Sequence, residues 1–291
     1  MSRRRAMLAW FASRPGARAW ALLAPGLLWL VLFFFAPLTL MLVYSVLGRG
    51  TYGGVEWHFT LEAYGRFLDP LYLRVLERTV LVALAATALC LMLGYPVAWV
   101  IARSDRWRQL LLVLVVLPFW TSFLVRTYAI AFLLRDEGVI NTLLRDVGLI
   151  SAPIEMLYTR GAVMAGLVYG YLPFMILPIY ASLEKLDQSL LEAAESLGAR
   201  GWARFVHVVL PLSLPGVIAG CLLVFIPALG AFLTPDLLGG ARQLMIGNLV
   251  QNQFTSARNW PFGAAASFVL VGVVLVVVVG WLIVRDQRET A

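Results

Sequence analysis

Long apolar runs separated by short polar stretches set the pattern of this chain. A helix rising ~1.5 Å per residue needs about 20 residues to cross ~30 Å of hydrocarbon. Six runs reach that length, at residues 20–46, 79–102, 110–134, 161–182, 212–233 and 262–284. Lipid offers no partner for open backbone N–H and C=O groups, so each run is read as a helix. The period-two alternation of a membrane barrel is absent. The predicted fold class is an all-α polytopic membrane protein with six transmembrane helices.

Between the spans, residues 47–78 and 135–160 read as long irregular loops on one side. Gly138 to Gly148 brackets a short amphipathic helix in the second loop. It is either a packing element or a docking surface for an extracytoplasmic partner. Pro227 and Gly230 interrupt the fifth run, as a hinge or as a structural kink.

Charge then orients the spans. The side holding the N-terminus carries 13 Lys and Arg against 7 acids, a net +6. The other side carries 9 against 9, with Arg126 left inside the third run. Basic residues favour the cytoplasmic side, so both termini are predicted cytoplasmic. The formal charge of +7 is then a topology signal, and a nucleic-acid partner loses its support. The run from Trp20 is about twice the length of a signal-peptide core, which predicts an uncleaved first span. The expected organisation is an N-terminal arm at 1–19, a membrane domain at 20–284 and a tail at 285–291.

Composition agrees with this picture. Hydrophobic residues make up 61% and charged residues 13% of 291, about half the charge of a soluble domain. Cys90 and Cys221 both lie inside apolar runs, and the only histidines are His58 and His207. Neither a disulfide framework nor a Cys- or His-based metal site is expected. No Gly-Lys-Ser/Thr phosphate loop occurs, so the chain is not expected to hydrolyse ATP itself.

The cytoplasmic loop at 186–211 is the most informative stretch. Leu186, Leu190, Ala194 and Leu197 fall at i, i+4, i+8 and i+11, one face of a helix. Asp187 is placed to cap its start, and Gly198 to end it. A second short helix is expected from about Gly201 to Val209, stopping before Pro211. The pair would lie at an angle outside the bilayer.

Glu192-Ala193-Ala194, three residues, Gly198, nine residues and then Val208-x-Leu210-Pro211 resemble the coupling signature of permeases in ATP-binding-cassette importers. Further runs resemble the polyamine-type permeases of that class. They include Leu93-Gly94-Tyr95-Pro96, Pro118-Phe119-Trp120-Thr121, Leu172-Pro173-Phe174, Pro215-Gly216 and Asn259-Trp260-Pro261-Phe262-Gly263. The resemblance covers roughly residues 25–285. It implies the type I importer permease fold in a bacterial inner membrane. It also implies two ATPase subunits, a second and non-identical permease, and a periplasmic substrate-binding protein. ATP and magnesium would be held by the ATPases and no cofactor by this chain. Glu192, Ala193, Ala194, Gly198, Leu210 and Pro211 would form the ATPase-coupling site. The small alanines would permit close approach and Glu192 would pair with a basic group of the ATPase. Spermidine or putrescine would be the substrate, although related importers move other organic cations, amino-acid derivatives or iron complexes.

A cationic substrate needs acids or aromatic faces along its path. None of the 16 acids falls well inside a span, and Asp236 lies just beyond the fifth. Trp120, Tyr128, Tyr169 and Tyr171 are therefore the path candidates beside Asp236. Cation–π contact offers roughly 0.5–2 kcal/mol each; interfacial anchoring is the alternative role. Trp120 and Tyr171 stand out because Pro118 and Pro173 lie nearby. Arg126 either snorkels to the surface or bonds backbone carbonyls or Asp236. An intramembrane enzyme would require clustered His, acids or Ser in the spans, and an ion-driven carrier would require intramembrane acids or repeats. Neither pattern is present.

Overall fold

The structure is a computed structural model that describes residues 15–289. Residues 1–14, 290 and 291 lie outside it, so most of the expected N-terminal arm does too. That arm includes Arg3, Arg4, Arg5 and Arg14 of the charge argument.

Each apolar run is helical. Helix α1 runs Pro15–Leu30, passes a π turn at Val31–Phe35 and continues through Ala36–Ser45. A short hairpin follows, with β1 (Leu47–Arg49) antiparallel to β2 (Val55–Phe59). The loop expected at 47–78 is therefore not irregular, and the all-α description gains one two-stranded ribbon. It also contains α2 (Glu62–Phe67) and the first turns of α3 (Pro70–Arg103). Asp69 starts α3 by accepting the Leu71 amide at 2.9 Å. At 34 residues α3 is about 51 Å long, so it extends well beyond the hydrocarbon.

The third run is not one continuous helix. Helix α4 (Arg108–Val116) tightens into a 3₁₀ turn at Leu117–Trp120, and α5 (Phe123–Leu134) starts afresh. The axis bends by 92° at this break. Pro118 lacks an N–H and its ring crowds the preceding turn, which weakens the α ladder at the break. Thr121 is extended, at φ −87° and ψ 147°. Its hydroxyl donates to the Pro118 carbonyl at 2.8 Å, satisfying an acceptor stranded at the break. The amphipathic helix α6 (Val139–Asp146) follows as expected. Asn141 is buried in it and ties down the next loop. It donates to the Ile154 carbonyl at 3.0 Å and accepts the Ile154 amide at 2.9 Å.

Helix α7 (Arg160–Glu184) crosses through Pro173 and Pro178. The loop helix α8 is Gln188–Ser196, and α9 is Trp202–Leu229. Here the expected stop before Pro211 is wrong: the second loop helix is the first turn of span five. A π turn at Phe205–Val209 carries the chain into it, and the Leu210 amide donates to the Phe205 carbonyl five residues back. The widened turn relieves the crowding that the Pro211 ring, which has no N–H to donate, would bring to a regular turn. Pro227 lies within the last turn of α9, and Gly230 ends the helix instead of interrupting it. A π turn (Pro235–Gly239) and a 3₁₀ turn (Gly240–Gln243) lead to α10 (Ile246–Phe254), then α11 (Trp260–Glu289).

Helices α3, α7 and α9 pack on one another most extensively. Cys90, Met175, Ile179 and Val224 are fully buried where they meet. Gly216 makes the α7–α9 contact close: a Cβ there would collide with the Pro178 carbonyl and the Ser182 side chain. Helices α1 and α11 pair on the flank; the apolar run of α1 faces outward, whereas α11 buries Phe262, Ala264, Ala265 and Ala266 in its first turns and exposes much of its later apolar surface. That surface is the lipid-facing surplus the composition implied.

Candidate functional site

The cytoplasmic loop forms a capped helix wedged against its own spans. Asp187 opens α8 by accepting the Ser189 amide at 2.9 Å. That backbone hydrogen bond, and then the Ser189 side chain, holds the Asp187 carboxyl below the usual carboxylate range. At the other end Gly198 has φ +86°. Its amide donates to the Glu195 carbonyl at 2.9 Å, and the Ala199 amide to the Ala194 carbonyl at 2.9 Å. This is the full Schellman pattern, which satisfies two stranded carbonyls and turns the chain sharply. Nothing lies within 4 Å of a Cβ built on Gly198, so backbone conformation alone requires glycine there.

The helix is rotated from the face read off the sequence. Leu191 and Ala194 turn inward, and Leu191 joins Leu183 and Val209 in one apolar cluster. Leu190 is 48% and Leu197 is 89% exposed. Ala194 therefore packs against its own chain. Ala193 and Glu192 do face outward. Leu210 is half-buried and Pro211 exposed at the head of α9.

Several residues of this joint carry no spacing signal and were missed. Glu195 and Arg204 form an ion pair across the Gly198 turn. Phe205 meets the rings of Tyr95 and Trp99 edge-on, at 5.5 and 6.2 Å between centroids. Tyr95 and Ser213 share a buried hydrogen bond of 2.8 Å. Arg108 reaches the Glu184 carboxylate at 3.2 Å, tying the foot of α4 to the foot of α7. The loop helix is thus held at the start of α9, and Phe205 ties that start to α3.

The path candidates separate. Trp120 is 82% exposed beside the break in span three. Tyr128, Tyr169 and Asp236 are also exposed. Tyr171 is partly buried. It packs between the central helices and donates its hydroxyl to the Pro227 carbonyl at 3.3 Å. That carbonyl lies in the last turn of α9, where no further turn supplies an amide. Arg126 does not pair with Asp236 or with a carbonyl. Its guanidinium stands 4.7 Å over the Phe119 ring, with Nε and Nη1 buried and unpaired among the described residues. The Phe119 ring meets Phe174 edge-on at 5.0 Å. An aromatic bridge thus joins the broken span to α7.

The sequence model of one family, described as "Binding-protein-dependent transport system inner membrane component", matches residues 90–288. The chain is 48% identical over 255 residues to the spermidine/putrescine transport system permease protein PotB of Escherichia coli (strain K12). The match covers 87% of this chain and 93% of that one. It is 47% identical to the protein of the same name from Salmonella typhimurium (strain LT2), over 87% and 89% of the two chains. Among solved structures, a bacterial ABC transporter that imports the acidic polysaccharide alginate superposes with TM-score 0.71. At 18% identity, over 97% of this chain and 99% of that one, it speaks for the fold alone.

Proposed function

The chain belongs to the family of binding-protein-dependent transport system inner membrane components, and on that premise we propose that it moves spermidine and putrescine inward, driven by partner ATPases. As a member it is a non-catalytic permease of an ABC importer in the inner membrane. The relatives named for spermidine and putrescine transport support the substrate. One observation carries the coupling. The Schellman-ended helix α8 presents Glu192, Ala193, Leu190 and Leu197 outward, while Leu191 packs into the apolar cluster of the spans and Glu195 pairs with Arg204 at the start of α9.

In this reading two ATPase subunits grip the outward face of α8, with ATP and magnesium bound on them. A second, unlike permease completes the path, and a periplasmic binding protein delivers the substrate. Both termini lie in the cytoplasm. Trp120, Tyr128, Tyr169 and Asp236 guide a polycation by ring faces and one carboxylate. Each ring face offers roughly 0.5–2 kcal/mol at most, enough to pass a cation on without trapping it.

The test is uptake by the full assembly in liposomes. This chain is co-purified with its second permease and ATPases, and the binding protein is added outside. Labelled putrescine and spermidine should enter only with ATP inside, and each should compete with the other. ATP-driven uptake of neither would remove the substrate assignment. ATP-independent uptake by this chain alone would remove the importer mechanism.

A further inference from the structure

Helices α3 and α7 both start at the surface opposite α8 and run inward side by side. Each carries arginine near its start. Arg74 and Arg78 on α3, and Arg160 at the first position of α7, line one cavity of about 440 Å³. Below the arginines the same cavity becomes apolar. Arg74, Arg78, Leu81 and Ala85 follow at spacings of four, three and four, which is one face of a helix. Met164 continues the apolar wall on α7. The lipid-crossing run of α3 begins at Thr79. The guanidiniums therefore sit at headgroup level, with Leu81 and Ala85 at the level of hydrocarbon. Glu77 also lines the cavity; among the described lining residues, three guanidiniums against its one carboxylate leave a net charge of +2.

We propose that this cavity binds an anionic glycerophospholipid of the outer leaflet, its phosphate among Arg74, Arg78 and Arg160 and an acyl chain along Leu81, Ala85 and Met164. Guanidiniums suit a phosphate because their planar donors match its oxygens in pairs. The net charge selects an anionic headgroup over a zwitterionic one. A soluble phosphate would fill only the upper half and leave the apolar half without an occupant. A polyamine would be repelled. The site therefore lies outside the transport path, and it joins α3 and α7 on the face opposite the coupling helix.

Native mass spectrometry of the purified full chain tests this. The chain is offered phosphatidylglycerol and phosphatidylcholine of the same acyl chains in equal amounts. Phosphatidylglycerol adducts should exceed phosphatidylcholine adducts at least fivefold, and Arg74→Ala/Arg160→Ala should bring the ratio near one. Arg74→Lys/Arg160→Lys should retain most of the preference. Millimolar glycerol 3-phosphate should not displace the lipid. Equal binding of both lipids to the wild-type chain overturns the proposal and needs no variant. Displacement by glycerol 3-phosphate would make the ligand a soluble phosphate. A variant that kept its lipid preference but lost a co-purifying protein would make the patch a protein contact. Either result ends the lipid assignment.

Discussion

Gly198 and Asp187 hold α8 by different physics, and each makes a separate prediction. Gly198 is needed for its left-handed backbone and for nothing else nearby. A left-handed residue with a Cβ costs about 1–2 kcal/mol, a roughly 5- to 30-fold shift between populations. Gly198→Ala should reach the membrane at normal levels, by immunoblot, and lower ATP-driven uptake within that range. Gly198→Asn should recover most of it, since Asn tolerates this conformation. Equal rates for the two variants would show that backbone strain is not the cause. Asp187 acts through charge. Its folded pKa is depressed, so its stabilisation is present above the unfolded value and lost as pH falls through the folded one. Amide-exchange protection of Gln188–Ser196 should hold from neutrality down to the ordinary carboxylate range and weaken only below it. Asp187→Asn, a cap without a titrating group, should show no such fall; parallel curves would rule the carboxylate out. The N-cap and the Gly198 stop could both be read from residue type and spacing. The inward turn of Ala194 could not, because a helix with apolar residues on two sides leaves the choice of face to its neighbours.

At the level of elements, prolines decide where helices bend, but sequence alone does not say which ones do. Pro118 accompanies a 92° break, whereas Pro173, Pro178 and Pro215 lie inside helices that continue. The difference is context. Around Pro118 the chain can leave the ladder at Thr121, whose hydroxyl recovers a stranded acceptor. At Pro178 and Pro215 the helices are pressed together and stay straight enough to pack. Gly216 permits that pressure. Gly216→Leu should separate α7 from α9, an overpacking cost of about 1–3 kcal/mol or more. The expected readout is a lower melting temperature in detergent and less folded protein in the membrane. An unchanged melt would mean that the α7–α9 contact is looser than its geometry implies. Glu195 and Arg204 hold the other side of this layer, across the turn that Gly198 makes.

For the molecule as a whole, orientation is the property that every functional statement leans on. Leu197 and Leu149 are 89% and 70% exposed on opposite sides of the predicted bilayer. An impermeant maleimide should label Leu149→Cys in intact spheroplasts and Leu197→Cys only in inverted vesicles. The reverse pattern would put α8 outside and remove the ATPase contact. Cys90 and Cys221 lie within spans, so their background should be low.

Sequence by itself determined the number and rough position of the apolar runs, the asymmetry of their flanking charges, and the spacing from Glu192 to Pro211. These are properties of short windows: transfer of about 20 residues into hydrocarbon, charges counted loop by loop, and caps within one turn. Only the tertiary structure decided which side of each span faces protein. It packed Tyr171 between the central helices and left Trp120 exposed, set Arg126 over Phe119 instead of Asp236, brought Arg160 beside Arg74 and Arg78, and turned Ala194 inward. Lipid tails are as apolar as a packed helix, so hydropathy cannot distinguish one apolar environment from the other. That choice is made by close packing, at glycines such as Gly216 and around the few polar groups that must find each other across spans.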